Sequence, residues 1–210
     1  PGKGKSRACL EGLARAAAAG TRVGYICAEE GFRDPEPGRD DLASRLAKVG
    51  MQALEYEASD AGELAFAEEV LALVVVLEAT YHKGWSWDEF IARYRTMVES
   101  EGCTLTIVDS LNTLDPTRRR TADNLSALKT YNHAHGVTCL TVGQIKDGGD
   151  PQGGETLVHT ADFVYLLEEM SLGSKEIAEF WGGKYREKID IISAVKSVTT
   201  PTLRYPLRVT

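Results

Sequence analysis

The sequence predicts an α/β fold with a mostly parallel central sheet flanked by helices, and with an antiparallel extension at its C-terminal end. Helical and strand patterns alternate along the 210 residues, an order that favours parallel strands joined by helices. Segments rich in β-branched and aromatic residues, such as Arg22–Ala28 and Thr104–Val108, have the composition of strands. The last two strand candidates, Ile189–Val195 and Leu203–Val209, are separated by a short Thr-Thr-Pro turn, which favours antiparallel pairing.

The elements before residue 100 are predicted to be mainly helices. A first helix over Ser6–Ala19 is ended by Gly20, and a helix over Asp40–Val49 has an aspartate at its start and Gly50 at its end. Residues 61–100 are predicted to be a helical insertion made of two helices. The second of these carries large apolar residues at helical spacing, which indicates packing against a neighbouring helix rather than stacking on nucleic-acid bases: Trp85, Trp87, Phe90, Ile91, Tyr94 and Met97.

The elements after residue 100 continue the alternation. The strand over Thr104–Val108 is followed by a helix over Ala122–His135 and a strand over Val137–Val142. A polar, glycine-rich loop over Gly143–Glu155 then leads to a strand over Phe163–Leu167. We find no internal repeat and no low-complexity linker, so we expect residues 1–210 to form a single domain.

Composition and charge exclude several classes of protein. With 43% hydrophobic and 26% charged residues, the chain is typical of a folded protein with one substantial core. Its net charge of −7 argues against a generally basic nucleic-acid binder. The most apolar run, Val70–Leu77, is far too short to cross a bilayer, so we expect no membrane partner. The four cysteines lack C-x-x-C spacing, which favours buried thiols and a cytoplasmic location.

The first residues match the end of a phosphate-binding loop. Gly4, Lys5 and Ser6 fit the last three positions of the Walker A pattern, G-x-x-x-x-G-K-[ST]. The first glycine of that pattern would precede Pro1, so we expect the chain to be truncated inside the loop. Backbone N–H groups of such a loop bind phosphate, its lysine neutralises it, and its hydroxyl holds Mg²⁺. The alternative is a chance Gly-Lys-Ser before a surface helix. The candidate nucleotide-binding residues are Gly2, Lys3, Gly4, Lys5, Ser6 and Arg7.

Carboxylates follow two of the strand candidates. Asp109 ends an apolar run in the form of a Walker B strand, where it would hold Mg²⁺ opposite Ser6. Glu29 and Glu30 follow the strand over Val23–Cys27. A carboxylate at this place is positioned to orient and polarise the water that attacks ATP. A solvated acidic turn is the alternative interpretation of the two glutamates.

These motifs, in this order, resemble the RecA superfamily of P-loop ATPases. The resemblance is carried by the phosphate loop, the strand ending in Glu29 and Glu30, the strand ending in Asp109, and the segment 141–168, TVGQIKDGGDPQGGETLVHTADFVYLLE. It is strongest to the ATPase core of bacterial RadA/Sms, with KaiC-like and DnaB-like cores next. It implies a RecA-like P-loop NTPase fold, ATP and Mg²⁺ as cofactors, and a homo-oligomer, either a ring such as a hexamer or a filament.

The resemblance also implies roles for individual residues. Glu29 would activate the attacking water, with Glu30 as the alternative; Glu29 is the first choice because it comes first after the strand. Gln144 would sense the γ-phosphate, and Lys196 would reach the ATP of a neighbouring subunit, like an arginine finger. Lys5 would bind phosphate, while Ser6 and Asp109 would hold the metal.

The resemblance further implies contacts with single-stranded DNA from two segments, which would make the protein a DNA-dependent ATPase of recombination, repair or replication. The alternatives are a KaiC-like regulatory ATPase, which gates protein partners without nucleic acid, and a DnaB-like replicative helicase core. The loop after Gln144 has one lysine and three acids, which favours the regulatory alternative. The alternative interpretation of the three arginines Arg118–Arg120 is a solvated charged turn. The candidate DNA-binding residues are Arg118, Arg119, Arg120 and Lys146.

Overall fold

The computed structural model describes residues 4–28, 30–33, 40–79, 87–110, 118–144, 155–202 and 205–209. Its contacts divide the chain into two compact units. The first, Ser6–Leu157, is called the parallel-sheet unit below. The second, called the antiparallel unit, comprises Val158–Thr210 together with Pro1–Lys5.

The parallel-sheet unit is built on four strands in the order β2-β1-β3-β4. The strands are β1 (Val23–Cys27), β2 (Val74–Glu78), β3 (Leu105–Asp109) and β4 (Thr138–Thr141). β1 pairs in parallel with β2 on one side and with β3 on the other. All five of its residues are buried, as expected for a parallel strand that helices cover on both faces.

Three helices cover one face of this sheet: α1 (Lys5–Ala18), α2 (Leu42–Ala53) and α3 (Asp60–Glu69). α2 does not end before Gly50, as the sequence suggested, but continues through it. A Cβ at Gly50 would lie 2.5 Å from the ring of Phe66 in α3. The glycine therefore allows α2 and α3 to pack closely, and its small size matters here more than its helix-ending tendency.

The opposite face is covered by α4 (Trp87–Arg95), the π-helical turn Thr96–Ser100 and α5 (Arg118–His135). Phe90 and Tyr94 of α4 are 1% and 0% exposed, and they belong to the same buried cluster as residues of β1 and β3. The apolar spacing of this segment therefore marks a helix that packs in the core. Trp85, which belonged to the predicted pattern, lies outside the described residues.

Residues 61–100 were expected to be helical throughout, and they are not. Between α3 and α4 the chain forms the strand β2, which pairs with β1 at the edge of the sheet. Its sequence, VVVLE, is dominated by β-branched residues, which favour a strand over a helix. The segment thus contributes a strand to the central sheet as well as helices around it.

The antiparallel unit contains β5 (Phe163–Ser171), β6 (Lys188–Ser197) and β7 (Leu207–Arg208), which pair in that order. A short helix of this unit, labelled α7 (Lys175–Phe180), lies between β5 and β6, and α6 (Glu155–Thr160) precedes β5. The predicted antiparallel strands at the C-terminal end are therefore present. Among the described residues, no helix has the length and apolar character needed to cross a membrane.

A buried polar network joins α4, α5 and β3, and it provides a test of the fold. The hydroxyl of Tyr94 donates to Oδ1 of Asn132 at 2.7 Å and lies 2.8 Å from Oγ1 of Thr106, which leaves the threonine hydroxyl as the donor to Tyr94. All three side chains are buried. Since the loss of a partner costs a buried polar group free energy, removing the central hydroxyl weakens the bonding of both neighbours.

We expect Tyr94→Phe to lower the free energy of unfolding by about 2 to 3 kcal/mol, measured by urea denaturation. Tyr131→Phe is the matched control, because the Tyr131 hydroxyl bonds an exposed carboxylate, that of Glu99, which water can solvate after the change. The control should lose less than about 1 kcal/mol. Equal losses in the two variants would contradict the importance of the buried network.

Candidate functional site

Three strands of the parallel-sheet unit end at the same level, and this carboxyl edge is the candidate site. Cys27, at the end of β1, is in register with Glu78 of β2 and with Asp109 of β3. The backbone N–H groups of Ala28 and Ala79 continue the ladders, each donating at 2.8 Å to Asp109 and Cys27 respectively. Ligands of open parallel sheets bind outside this edge.

Negative charge is concentrated at the edge. Burial raises the pKa of the Cys27 thiol above its usual range, and the carboxylates of Glu78, Glu30 and Asp109 raise it further. Each of these carboxylates disfavours a second negative charge at the thiol. The same field favours a cation, so the edge is suited to hold one beside an anionic ligand.

Asp109 is the most buried of these carboxylates, at 7% exposure. Its Oδ2 accepts a hydrogen bond of 3.0 Å from the hydroxyl of Tyr25. Among the described residues, no lysine or arginine forms an ion pair with Asp109. A buried carboxylate normally requires a cation or several hydrogen-bond donors. Asp109 thus has the environment of a ligand for a bound cation.

Ser6 lies in the first turn of α1. Gly4 has a φ of 74°, a backbone conformation that glycine adopts without strain, and α1 begins at Lys5. Burial, and then the Asp109 carboxylate, raise the pKa of the Cys9 thiol to about 12. Residues three apart share a helix face, so Ser6 is on the face that carries Cys9.

Serine and aspartate oxygens fit a magnesium site. Mg²⁺ takes oxygen ligands, keeps several waters, and is usually held by one or two protein side chains together with phosphate oxygens. Ser6 and Asp109 are such a set. No group of three or more histidine, cysteine, aspartate or glutamate side chains that could hold a metal occurs among the described residues. Two side-chain oxygens would leave the other positions of the ion to water and phosphate oxygens.

Two carboxylates hold the loop after β1. Glu30 forms an ion pair with Arg45 of α2, in which the two side chains are 30% and 35% exposed. Glu78 accepts a hydrogen bond of 2.6 Å from the backbone N–H of Phe32. Glu78 was not among the predicted site residues, although β2 ends in this glutamate as β3 ends in Asp109. Glu29 lies outside the described residues.

The remaining candidates differ in how far the structure describes them. Arg7 is exposed, and its guanidinium donates at 3.4 Å to the side chain of Gln52 in α2. Gln144 is half-buried and follows β4. Just after β4, the backbone N–H of Val142 donates to the carbonyl oxygen of Val108 in β3. Arg118–Arg120 form the start of α5, in which only their backbone is described. Gly2, Lys3 and Lys146 lie outside the described residues.

Lys196 lies in β6 of the antiparallel unit and contacts its own chain. Its Nζ donates to the carbonyl oxygens of Val158 at 3.0 Å and of His159 at 2.7 Å. These carbonyls belong to the end of α6, where backbone oxygens lack partners within the helix. The ammonium group therefore caps the C-terminus of this short helix.

The comparisons with known proteins identify the fold. No protein-family model and no curated protein matches the sequence. The solved structure of a KaiC-like protein from the hyperthermophilic archaeon Pyrococcus horikoshii OT3 is similar, with a TM-score of 0.65 and 15% sequence identity, over 99% of this chain and 80% of that one. The chain has a RecA-like fold. The predicted fold class is thereby confirmed, while the greater closeness to RadA/Sms stays a prediction.

Proposed function

We propose that this protein is a Mg²⁺-dependent P-loop ATPase. The observation that carries the proposal is the buried carboxylate of Asp109, which has no cationic partner among the described residues and whose charge acts on Cys9, three residues after Ser6 in α1. The Gly-Lys-Ser sequence at the start of that helix supplies the matching phosphate-binding chemistry. The fold is one on which such chemistry is expected at the carboxyl ends of parallel strands.

Each group would act on a different part of the reaction. Lys5 and the first N–H groups of α1 would bind phosphate oxygens, and Ser6 and Asp109 would hold the metal. Mg²⁺, when bound, supplies positive charge that neutralises the phosphates. Glu29 would orient the attacking water and accept its proton. Glu29 is preferred over Glu30 because the side chain of Glu30 is already held in an ion pair with Arg45.

The proposed role is that of a DNA-dependent ATPase in recombination, repair or replication. Its support is the placement of the candidate segments: Arg118–Arg120 begin α5 after β3, and the loop with Lys146 follows Gln144 after β4. The first segment follows β3, whose end belongs to the candidate site, and the second follows β4, which pairs with β3. Loss of the γ-phosphate next to Gln144 could thus be passed to a loop that contacts single-stranded DNA.

A regulatory, KaiC-like ATPase is the second candidate. The observations in its favour are the net charge of −7 and a loop after Gln144 with a single lysine, since binding to nucleic acid depends on neutralising phosphates. A DnaB-like helicase core shares the chemistry of the first candidate and differs in its partners. Fold alone does not choose between these uses, because one scaffold serves many functions.

The test is ATP turnover by the complete gene product with and without single-stranded DNA, at low and at moderate salt. Strong stimulation by DNA that weakens with salt would support the motor function. Turnover that is indifferent to DNA would favour the regulatory function. Absence of turnover under every condition would contradict the ATPase itself.

We further propose that residues 1–210 act as one ATPase domain of a cytoplasmic homo-oligomer, a ring such as a hexamer or a filament. The cysteines Cys9, Cys27, Cys103 and Cys139 are free thiols, which suits a reducing compartment. In the oligomer, Lys196 would leave the carbonyls at the end of α6 and contact the ATP of a neighbouring subunit.

Lys196→Ala should therefore lower turnover by about 1,000-fold, the effect of losing a finger residue, while ATP affinity stays nearly unchanged. Steady-state hydrolysis and equilibrium binding of an ATP analogue measure the two effects. Lys188→Ala is the matched control, because Lys188 is a lysine of the same strand that pairs with Glu169 at 2.7 Å. Turnover in Lys196→Ala equal to that in the control would exclude a trans-acting role.

A further inference from the structure

We propose that Tyr25 is a positioning residue of the metal site, which holds the carboxylate of Asp109 in the orientation that binds Mg²⁺. This inference rests on the proposed function. It concerns a residue in the interior of β1, two positions before the edge of the sheet where the candidate site lies.

The geometry follows from the parallel register of β1 and β3. Tyr25 is paired with Ile107, while Cys27 is paired with Asp109. Side chains two residues apart on a strand point to the same face, so Tyr25 and Asp109 share a face of the sheet. The long phenol side chain spans the remaining step along the strands, and its hydroxyl reaches Oδ2 of Asp109 at 3.0 Å.

The phenol is held in place by the core. Tyr25 is 1% exposed and packs in the buried cluster beneath α1, which also contains Cys9, Leu10 and Leu13. A tyrosine hydroxyl, with an unperturbed pKa of about 10, is protonated near neutral pH. A neutral phenol has one proton to donate, and here it is donated to Asp109.

This single contact leaves the other carboxylate oxygen for a ligand. Among the described residues, Tyr25 is the one hydrogen-bonding partner of the Asp109 side chain. Oδ1 therefore has no protein donor in the described part of the chain, while Oδ2 is fixed. A hydrogen-bonding partner behind a metal ligand fixes its orientation and commonly contributes to metal affinity.

The chain offers an internal comparison in Tyr94. This tyrosine is as fully buried as Tyr25, but its hydroxyl bonds the neutral side chains of Thr106 and Asn132 on the opposite face of the sheet. Loss of either hydroxyl removes a buried hydrogen bond. Of the two hydroxyls, only that of Tyr25 bonds the Asp109 carboxylate, so only its loss changes the environment of that carboxylate. The two phenylalanine variants thus separate positioning of Asp109 from general stability.

The experiment measures Mn²⁺ binding, by electron paramagnetic resonance, to the complete gene product saturated with ADP. Tyr25→Phe should weaken Mn²⁺ binding roughly 10-fold to 100-fold, and Tyr94→Phe should leave it unchanged. Replacing Tyr25 by 4-aminophenylalanine keeps an N–H donor at the same place and should restore the affinity. This second variant also serves if Tyr25→Phe does not fold.

Unchanged Mn²⁺ affinity in Tyr25→Phe, or equal losses in the Tyr25 and Tyr94 variants, would overturn the positioning role. In an Asp109→Asn background, Tyr25→Phe should produce no further loss, because Tyr25 acts through the carboxylate; a further loss of the full size would also overturn it. If the parent protein binds neither ADP nor Mn²⁺, the proposed function itself fails, and that result differs from all the others because it appears without any substitution.

Discussion

Glu29→Gln is expected to lower kcat for ATP hydrolysis by at least about 100-fold, with little change in the affinity for ATP. The amide keeps the size and polarity of the side chain but cannot accept the proton of the attacking water, and general bases contribute about 100-fold or more to rate. Single-turnover hydrolysis measures the chemical step, and equilibrium binding of an ATP analogue measures the affinity.

Glu30→Gln is the matched control, since it makes the same change one residue away. The carboxylate of Glu30 pairs with Arg45 of α2, so its loss should leave kcat within about threefold of the parent. Because the pair is partly exposed, we expect a cost of at most about 1 kcal/mol in stability. The reverse pattern, with Glu30→Gln inactive and Glu29→Gln active, would transfer the role of base to Glu30.

Lys5→Ala is expected to reduce turnover to background and to weaken ATP binding by roughly 100-fold. The substitution removes the charge that would neutralise the phosphates in the proposed site, and a hydrogen bond to a charged group contributes about 1.5 to 3 kcal/mol. Binding of a fluorescent ATP analogue and release of phosphate are the two measurements.

Lys48→Ala controls for the loss of a lysine elsewhere. Lys48 lies in α2 and pairs at 2.7 Å with Asp40, with the lysine side chain 66% exposed. This variant should bind and hydrolyse ATP as the parent does. Normal turnover in Lys5→Ala would contradict the assignment of the first residues to a phosphate-binding loop, and with it the proposed chemistry.

Local pattern was sufficient to predict the main elements of the fold. The β-branched content of β1 and β3 identified both strands, and the apolar spacing of α4 identified a packed helix. Each of these signals lies within the element itself. The alternation of the elements then favoured parallel pairing, which the register of β1, β2 and β3 has.

What the sequence did not reveal depends on contacts between distant residues. β2 lies between stretches that form helices, and its strand identity becomes clear in its pairing with β1. Glycine commonly ends a helix, and this tendency suggested that α2 ends before Gly50. The reason for a glycine at this position is instead its close packing against the ring of Phe66, sixteen positions later. The partnership of Tyr25 with Asp109 joins residues 84 positions apart. No periodicity within one element encodes such a contact.

Two buried thiols near Asp109, Cys9 in α1 and Cys27 at the end of β1, have a consequence for chemical labelling. The thiolate is the form that reacts with alkylating reagents, and it forms more readily in exposed, positively charged surroundings. Cys9 and Cys27 are 4% and 1% exposed, and burial with nearby carboxylates keeps both protonated. Their modification therefore requires local opening of the structure. The rate at which these two cysteines are alkylated therefore measures how often the structure around Asp109 opens.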